Sequence, residues 1–154
     1  MARKEFDPLE IVESIANESA EDVQRTALAI LQAVVTATPV GDPTLWQNPN
    51  PPPGYVGGHA RRNWIVSLGS FADEQRGTPG RADGGGAATA EALGKGRREI
   101  DQFTTAQRRL IIQNNVPYIT RLNNGHSTQA PRNFVQTAVQ VGRNVGRNDR
   151  KELP

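Results

Sequence analysis

Two stretches rich in glycine and proline limit what this 154-residue chain can fold into. Between Pro39 and Gly58 lie six prolines and four glycines. Neither a helix nor a central strand survives such a run, because proline lacks the N–H donor and glycine carries a high ordering cost. Residues 41–58 are therefore expected as a long irregular loop, with Trp46 and Tyr55 as anchors against a partner. Ser70 to Ala87 reads as a second loop, either a hairpin arm or a mobile segment.

The rest of the chain supplies the elements that can pack. Asp7-Pro8-Leu9-Glu10 has the cap, first-turn proline and acidic third position of a helix start. Apolar residues recur every three or four positions from Val12 to Val34, which predicts a long helix to about Thr36. Ser19-Ala20-Glu21-Asp22 offers a second cap, so a break near Asn17 is the alternative. Arg61–Gly69 alternates as a strand, with Trp64 and Leu68 on its core face. Ala88–Phe103 reads as helix, Thr104–Gln107 as a turn, and Arg109–Gln113 as a short buried strand. Pro117–Leu122 is a short helix or turn that packs Tyr118, Ile119 and Leu122 against the sheet. Asn133–Val145 closes the chain as a helix with Phe134, Ala138 and Val141 on one face.

These elements predict an α+β fold: a long N-terminal helix and a C-terminal helix packed on a small antiparallel sheet, with long Gly/Pro-rich loops. One domain is expected over residues 1–142, followed by a basic polar tail at 143–154 that frays unless docked.

Several kinds of chemistry lack their residues. The chain has no cysteine, so disulfides and thiolate metal sites are excluded. Its two histidines, His59 and His126, have no metal-ligand spacing, and no metal or other cofactor is expected. Ser127 follows His126 without the strained G-x-S-x-G turn of a nucleophile elbow. Gly94-Lys95-Gly96 does not fit a phosphate loop. No catalytic residue is assigned, and no enzyme activity is expected. No apolar run reaches the ~18 residues that a membrane span needs. The opening MARKEFDPLE does not resemble a secretory leader, so a cytoplasmic protein, or one exported only within a larger assembly, is expected.

Charge is informative. Residues 1–24 carry a net −5 and the remaining 130 a net +7. A chain with opposite charge in two regions can pack head to tail against copies of itself, although an acidic helix start explains the first region equally well. Arginine outnumbers lysine 15 to 3. Its planar guanidinium suits both inter-subunit ion pairs and non-specific contact with a DNA backbone. Arg61 and Arg62 are the candidates for that outward-facing charge. No reading helix for sequence-specific binding is evident.

Three pieces then occur in a recognisable order. A helix runs into Thr38-Pro39-Val40 and a Gly/Pro loop. Gly57-Gly58-His59-Ala60-Arg61-Arg62-Asn63-Trp64-Ile65-Val66-Ser67-Leu68-Gly69 follows. Ile112-Gln113-Asn114-Asn115-Val116-Pro117-Tyr118-Ile119 leads to Leu122-Asn123-Asn124-Gly125-His126-Ser127, to Gln129-Ala130-Pro131, and to Phe134 in the closing helix. Over residues 7–142 this set resembles the neck or tail-completion proteins of long-tailed double-stranded DNA phages, the family that includes the lambda-like minor tail protein Z. The chain departs from the family's Thr-Pro-Val-Asp-Thr-Gly by carrying Gly41-Asp42-Pro43 and a Trp/Pro-rich insertion.

The resemblance implies a virion structural protein at the head–tail junction, assembled in the host cytoplasm. It implies a homo-oligomeric ring, a hexamer or a twelvefold ring, with other neck and tail proteins and packaged DNA as neighbours. A tail terminator, a head-closure ring or a DNA-binding accessory protein are the alternatives. Asn123-Asn124-Gly125 is expected to form a turn with positive φ. Asn123, Asn124, His126 and Gln129 join Arg61 and Arg62 as candidates for subunit contact or for facing DNA, and the polar loop from His126 to Pro131 is expected to bond backbone or the neighbouring subunit.

Overall fold

The computed structural model describes residues 9–14, 19–41, 50, 51, 53, 55–77, 83–125 and 131–151. The fold is α+β: three antiparallel strands are covered on one face by helices. Strand β1 spans Leu9–Ser14, helix α1 Ala20–Ala37, helical turn α2 His59–Arg62, strand β2 Trp64–Leu68 and helix α3 Gly86–Gln102. Strand β3 spans Arg109–Asn114, helix α4 Ile119–Asn123 and helix α5 Phe134–Lys151.

The long N-terminal helix expected from Pro8 is corrected. Residues 9–14 are a strand, paired in register from Leu9↔Asn114 to Ser14↔Arg109. Ile11 and Val12 are β-branched, which lowers their helix propensity, and the open side of β3 supplies their hydrogen-bond partners. The helix starts at the second cap. Ser19 is extended, and its Oγ accepts the Asp22 N–H at 3.2 Å. Thr38 ends α1, and its N–H and hydroxyl both donate to the Val34 carbonyl, at 3.0 and 2.6 Å.

Central β3 is flanked by β1 and β2. Trp64, Val66, Leu110 and Ile112 meet the buried stripe of α1, which comprises Val23, Ala27, Ile30, Leu31, Val34 and Val35. Trp64 is fully enclosed, and its indole N–H donates to Thr38 Oγ1 at 2.7 Å. That bond satisfies the one polar atom of the largest core side chain and ties β2 to the end of α1. Leu68 packs against the same core, partly buried.

The strand expected over 61–69 begins only at Trp64. Gly58, at φ 102°, turns the chain into α2 instead.

Helix α5 runs antiparallel to α1, with Gly142 against Ile30 and Gly146 against Thr26. The contact stripe Phe134, Ala138, Gly142, Gly146 shrinks along the helix, so the two backbones converge towards the α5 C-terminus. At Gly142 and Gly146 a Cβ would overlap side-chain atoms of α1. This docking carries α5 through residue 142, the expected domain limit, to Lys151. Val141, expected on the packed face, is 46% exposed, and Val135 is buried instead.

Tyr118 is also corrected. It precedes α4 and is 40% exposed, whereas Ile119 is buried and Leu122 partly so. No helix among the described residues is long and apolar enough to cross a membrane.

Candidate functional site

Four amide residues, Asn63, Gln113, Asn114 and Asn115, come together at one end of the sheet, where their side chains bind backbone. An amide has both a donor and an acceptor, so it can substitute for a missing strand neighbour. Gln113 does this for Ala72: it accepts the Ala72 N–H at 2.8 Å and donates to the Ala72 carbonyl at 2.9 Å. Asn115 Nδ2 reaches the Ala72 and Glu74 carbonyls at 3.0 and 2.9 Å. Asn63 accepts the Arg76 N–H at 2.6 Å and donates to the Arg76 and His59 carbonyls at 2.9 and 2.7 Å. Asn114 Nδ2 donates to the Ala60 carbonyl at 2.9 Å, and its oxygen accepts the Val116 N–H at 3.1 Å. Residues 71–77 form neither arm nor hairpin. They are an extended segment strapped to the sheet by these amides.

Arg61 and Arg62, the candidates for outward-facing charge, are half-buried and bond within the chain. The last turn of α1 holds no basic residue, so its carbonyl end lacks a local cation. Arg61 supplies one from α2, donating to the Thr38 and Thr36 carbonyls at 2.9 and 3.2 Å and to Thr89 Oγ1 at 3.3 Å. Burial lowers the pKa of this guanidinium. Arg62 pairs with Glu91 of α3 and donates to the Gly77 carbonyl at 2.6 Å. The hydrogen bond from Arg62, with a second from Lys95, holds the Glu91 carboxyl down at about 2 against a desolvation cost.

Asn123, a candidate for subunit or DNA contact, bonds backbone within the chain. It is buried, its oxygen accepts the Val135 N–H at 3.0 Å, and its carbonyl accepts the Asn133 N–H at 2.7 Å. It thus satisfies a first-turn donor of α5 from another element. Gly125 takes the positive φ of the expected turn, at 88°, whereas Asn124 stays at −83° and is exposed. His126, Gln129 and Trp46 lie outside the described residues.

Tyr55 is 37% exposed, and burial raises its pKa. It neighbours a pair that the sequence does not reveal. His59 Nε2 lies 3.0 Å from the Arg76 carbonyl and must be its donor, which leaves Nδ1 to accept the Tyr118 hydroxyl at 3.2 Å. Burial, with Tyr55 adding to it, pushes the Tyr118 hydroxyl up to about 12. Such a phenol keeps its proton, and this pair clamps α2, the 71–77 segment and the start of α4 together. Among the described residues no three His, Cys, Asp or Glu side chains gather as a metal site would require.

Two concavities remain open. An apolar groove of about 230 Å³ lies between α1 and α5, lined by Ala33, Ala37, Phe134 and Val141. A polar cleft of about 300 Å³ lies at the outer edge of β2. No family model matches the sequence, and neither a curated protein nor a solved structure matches it significantly.

Proposed function

We propose that this chain is a structural protein of the head–tail junction of a long-tailed phage, building a homo-oligomeric ring that joins the tail to the DNA-filled capsid. The carrying observation is where the motif residues fall. Asn63 comes from the second piece of the resemblance and Asn114 and Asn123 from two ends of the third, and each is a buried joint between elements. A resemblance made of such joints is one of fold, and it favours kinship over coincidence. The amides are spent on backbone, which suits a part valued for its shape.

In this reading the protein is not an enzyme and acts in the virion after assembly in the host cytoplasm. Its neighbours are other neck and tail proteins. A tail terminator or head-closure ring is the nearest variant of the same role. The DNA-binding alternative loses support because Arg61 and Arg62, its leading candidates, serve Thr36, Thr38 and Glu91.

Imaging of the particle with this chain labelled tests the proposal. Density at the neck is the expected result, and a label at the capsid shell or the tail tip overturns it.

A further inference from the structure

The polar cleft is the open edge of strand β2. In the antiparallel ladder Gly69 donates to the Arg109 carbonyl at 3.0 Å, so Ile65, Ser67 and Gly69 direct their backbone groups towards β3. Trp64, Val66 and Leu68 direct theirs outwards. The Trp64 carbonyl is taken by Arg76 Nη1 at 3.3 Å. The outward N–H and C=O groups of Val66 and Leu68 bond no described residue. A row of unpaired backbone groups is a template for another extended chain.

The surroundings limit which chain can use it. Glu74 and Arg76 wall one side of the cleft, and α3 walls the other with Lys95, Arg98 and Glu99. About 300 Å³ lies between them, the lower end of ligand-sized cavities. That space takes a few residues of extended chain. A strand already embedded in a folded sheet would bring its own covering layers against α3 and the 71–77 segment.

The charges of the cleft are balanced. Arg76 Nε bonds Glu74 at 3.1 Å, Lys95 bonds Glu91 at 2.8 Å, and Arg98 adjoins Glu99 in α3. A polyanion such as a DNA backbone finds no surplus to bind, whereas a neutral peptide backbone fits. One donor is left over. Only 7% of the Arg76 side chain is exposed, and its Nη1 bonds the Arg62 and Trp64 carbonyls. Its Nη2 donates to no described residue, and it lies at the Trp64 end of the edge, where the carbonyls of an added strand would pass. A nearly buried donor without a partner is costly, and an incoming carbonyl removes that cost.

We propose that the β2 edge binds a short extended segment of another protein, a terminus or loop that adds a fourth strand by pairing with Val66 and Leu68 and gives a carbonyl to Arg76 Nη2. Main-chain hydrogen bonds then supply the affinity, so the partner is recognised by its extended form and free N–H groups rather than by its charge. The inference stands apart from the head–tail reading and does not depend on it.

The test is amide exchange of the full chain by NMR, alone and with peptides selected from a library of random linear nonapeptides displayed on yeast. In the free chain Val66 and Leu68 are expected to exchange faster than Ile65 and Ser67, whose N–H groups face β3. A selected peptide is expected to protect Val66 and Leu68, with an affinity that barely changes between low and high salt. N-methylation of each peptide amide in turn is expected to weaken binding about tenfold at alternate positions only, because every second N–H faces β2. Val66 and Leu68 amides already as slow as those of Ile65 and Ser67 in the free chain overturn the proposal. Protection that rises with protein concentration gives the edge to a second copy and overturns it too. A library that yields no peptide protecting both amides, or an N-methylation profile without alternation, has the same consequence.

Discussion

The α1–α5 seam and the polar end of the sheet join elements in opposite ways. At the seam, joining depends on what is missing: Gly142 and Gly146 have no side chain, and α1 fills the space with Ile30 and Thr26. At the sheet end, joining depends on what is added, since Asn63, Gln113, Asn114 and Asn115 each carry an amide to a particular backbone group. The seam is a steric fit over several turns and belongs to the core. The amide joints are local and directional, and they hold a segment that has no ladder of its own. Damage to the first should therefore be global, and damage to the second regional.

The seam should give the larger effect. Gly142→Leu forces a branched side chain into the position of Ile30, where even a Cβ does not fit. Overpacking of this kind is expected to cost about 3 kcal/mol, read as a lower urea midpoint at unchanged slope. Amide exchange should accelerate throughout α1, α5 and β3 together. Gly142→Ala tests the same point more gently. Its helix-propensity gain of about 1 kcal/mol should be outweighed by the overlap, so a stabilised Gly142→Ala would show that the seam can open.

Asn63→Leu comes next. It leaves the Arg76 N–H and the His59 carbonyl without their Asn63 partner, while the Arg76 carbonyl keeps only His59 Nε2. The expected loss is about 2 kcal/mol. Its signature separates it from the seam variant: exchange should quicken at residues 71–77 while the α1 and α5 amides keep their protection. Uniform acceleration in both variants would erase the distinction between the two kinds of joint.

The sequence made the elements legible and hid the joints between them. β2, β3 and α3 stand out because alternation and helical spacing are local properties. Asn63, Asn114 and Asn115 stand out only as members of the motif, because their backbone partners at Arg76, Ala60 and Ala72 belong to other segments. β1 could not be found in this way. Leu9, Ile11 and Val12 fit either period, and the deciding partner, β3, lies about a hundred positions away. The acceptors of Arg61 and Arg62 are hidden for the same reason, since Thr36, Thr38 and Glu91 belong to other parts of the fold. The His59–Tyr118 contact has no local signal at all. Nothing local marks Gly142 and Gly146 as contacts, and only the bulk of Ile30 and Thr26 opposite them makes them so.

The smallest expected effect comes from a third kind of joint, the ion pair between Arg62 and Glu91. The native carboxyl is held at about 2, below its ordinary 4.5, chiefly by its hydrogen bond to Arg62. The unfolded chain therefore binds this proton more readily than the native one. The pair's contribution is complete above pH 4.5 and drains away as pH falls towards 2. Both partners of the pair are partly exposed, so solvent screening leaves only a fraction of the nominal linkage energy. Glu91→Gln should consequently lower the urea midpoint slightly at neutral pH and flatten its decline between pH 4.5 and 2. Added salt should shrink the gap from wild type, because this joint, unlike the glycine seam or the amides, acts through charge. An unchanged acid limb in Glu91→Gln would mean that the strap at residues 71–77 holds α2 and α3 together without the pair.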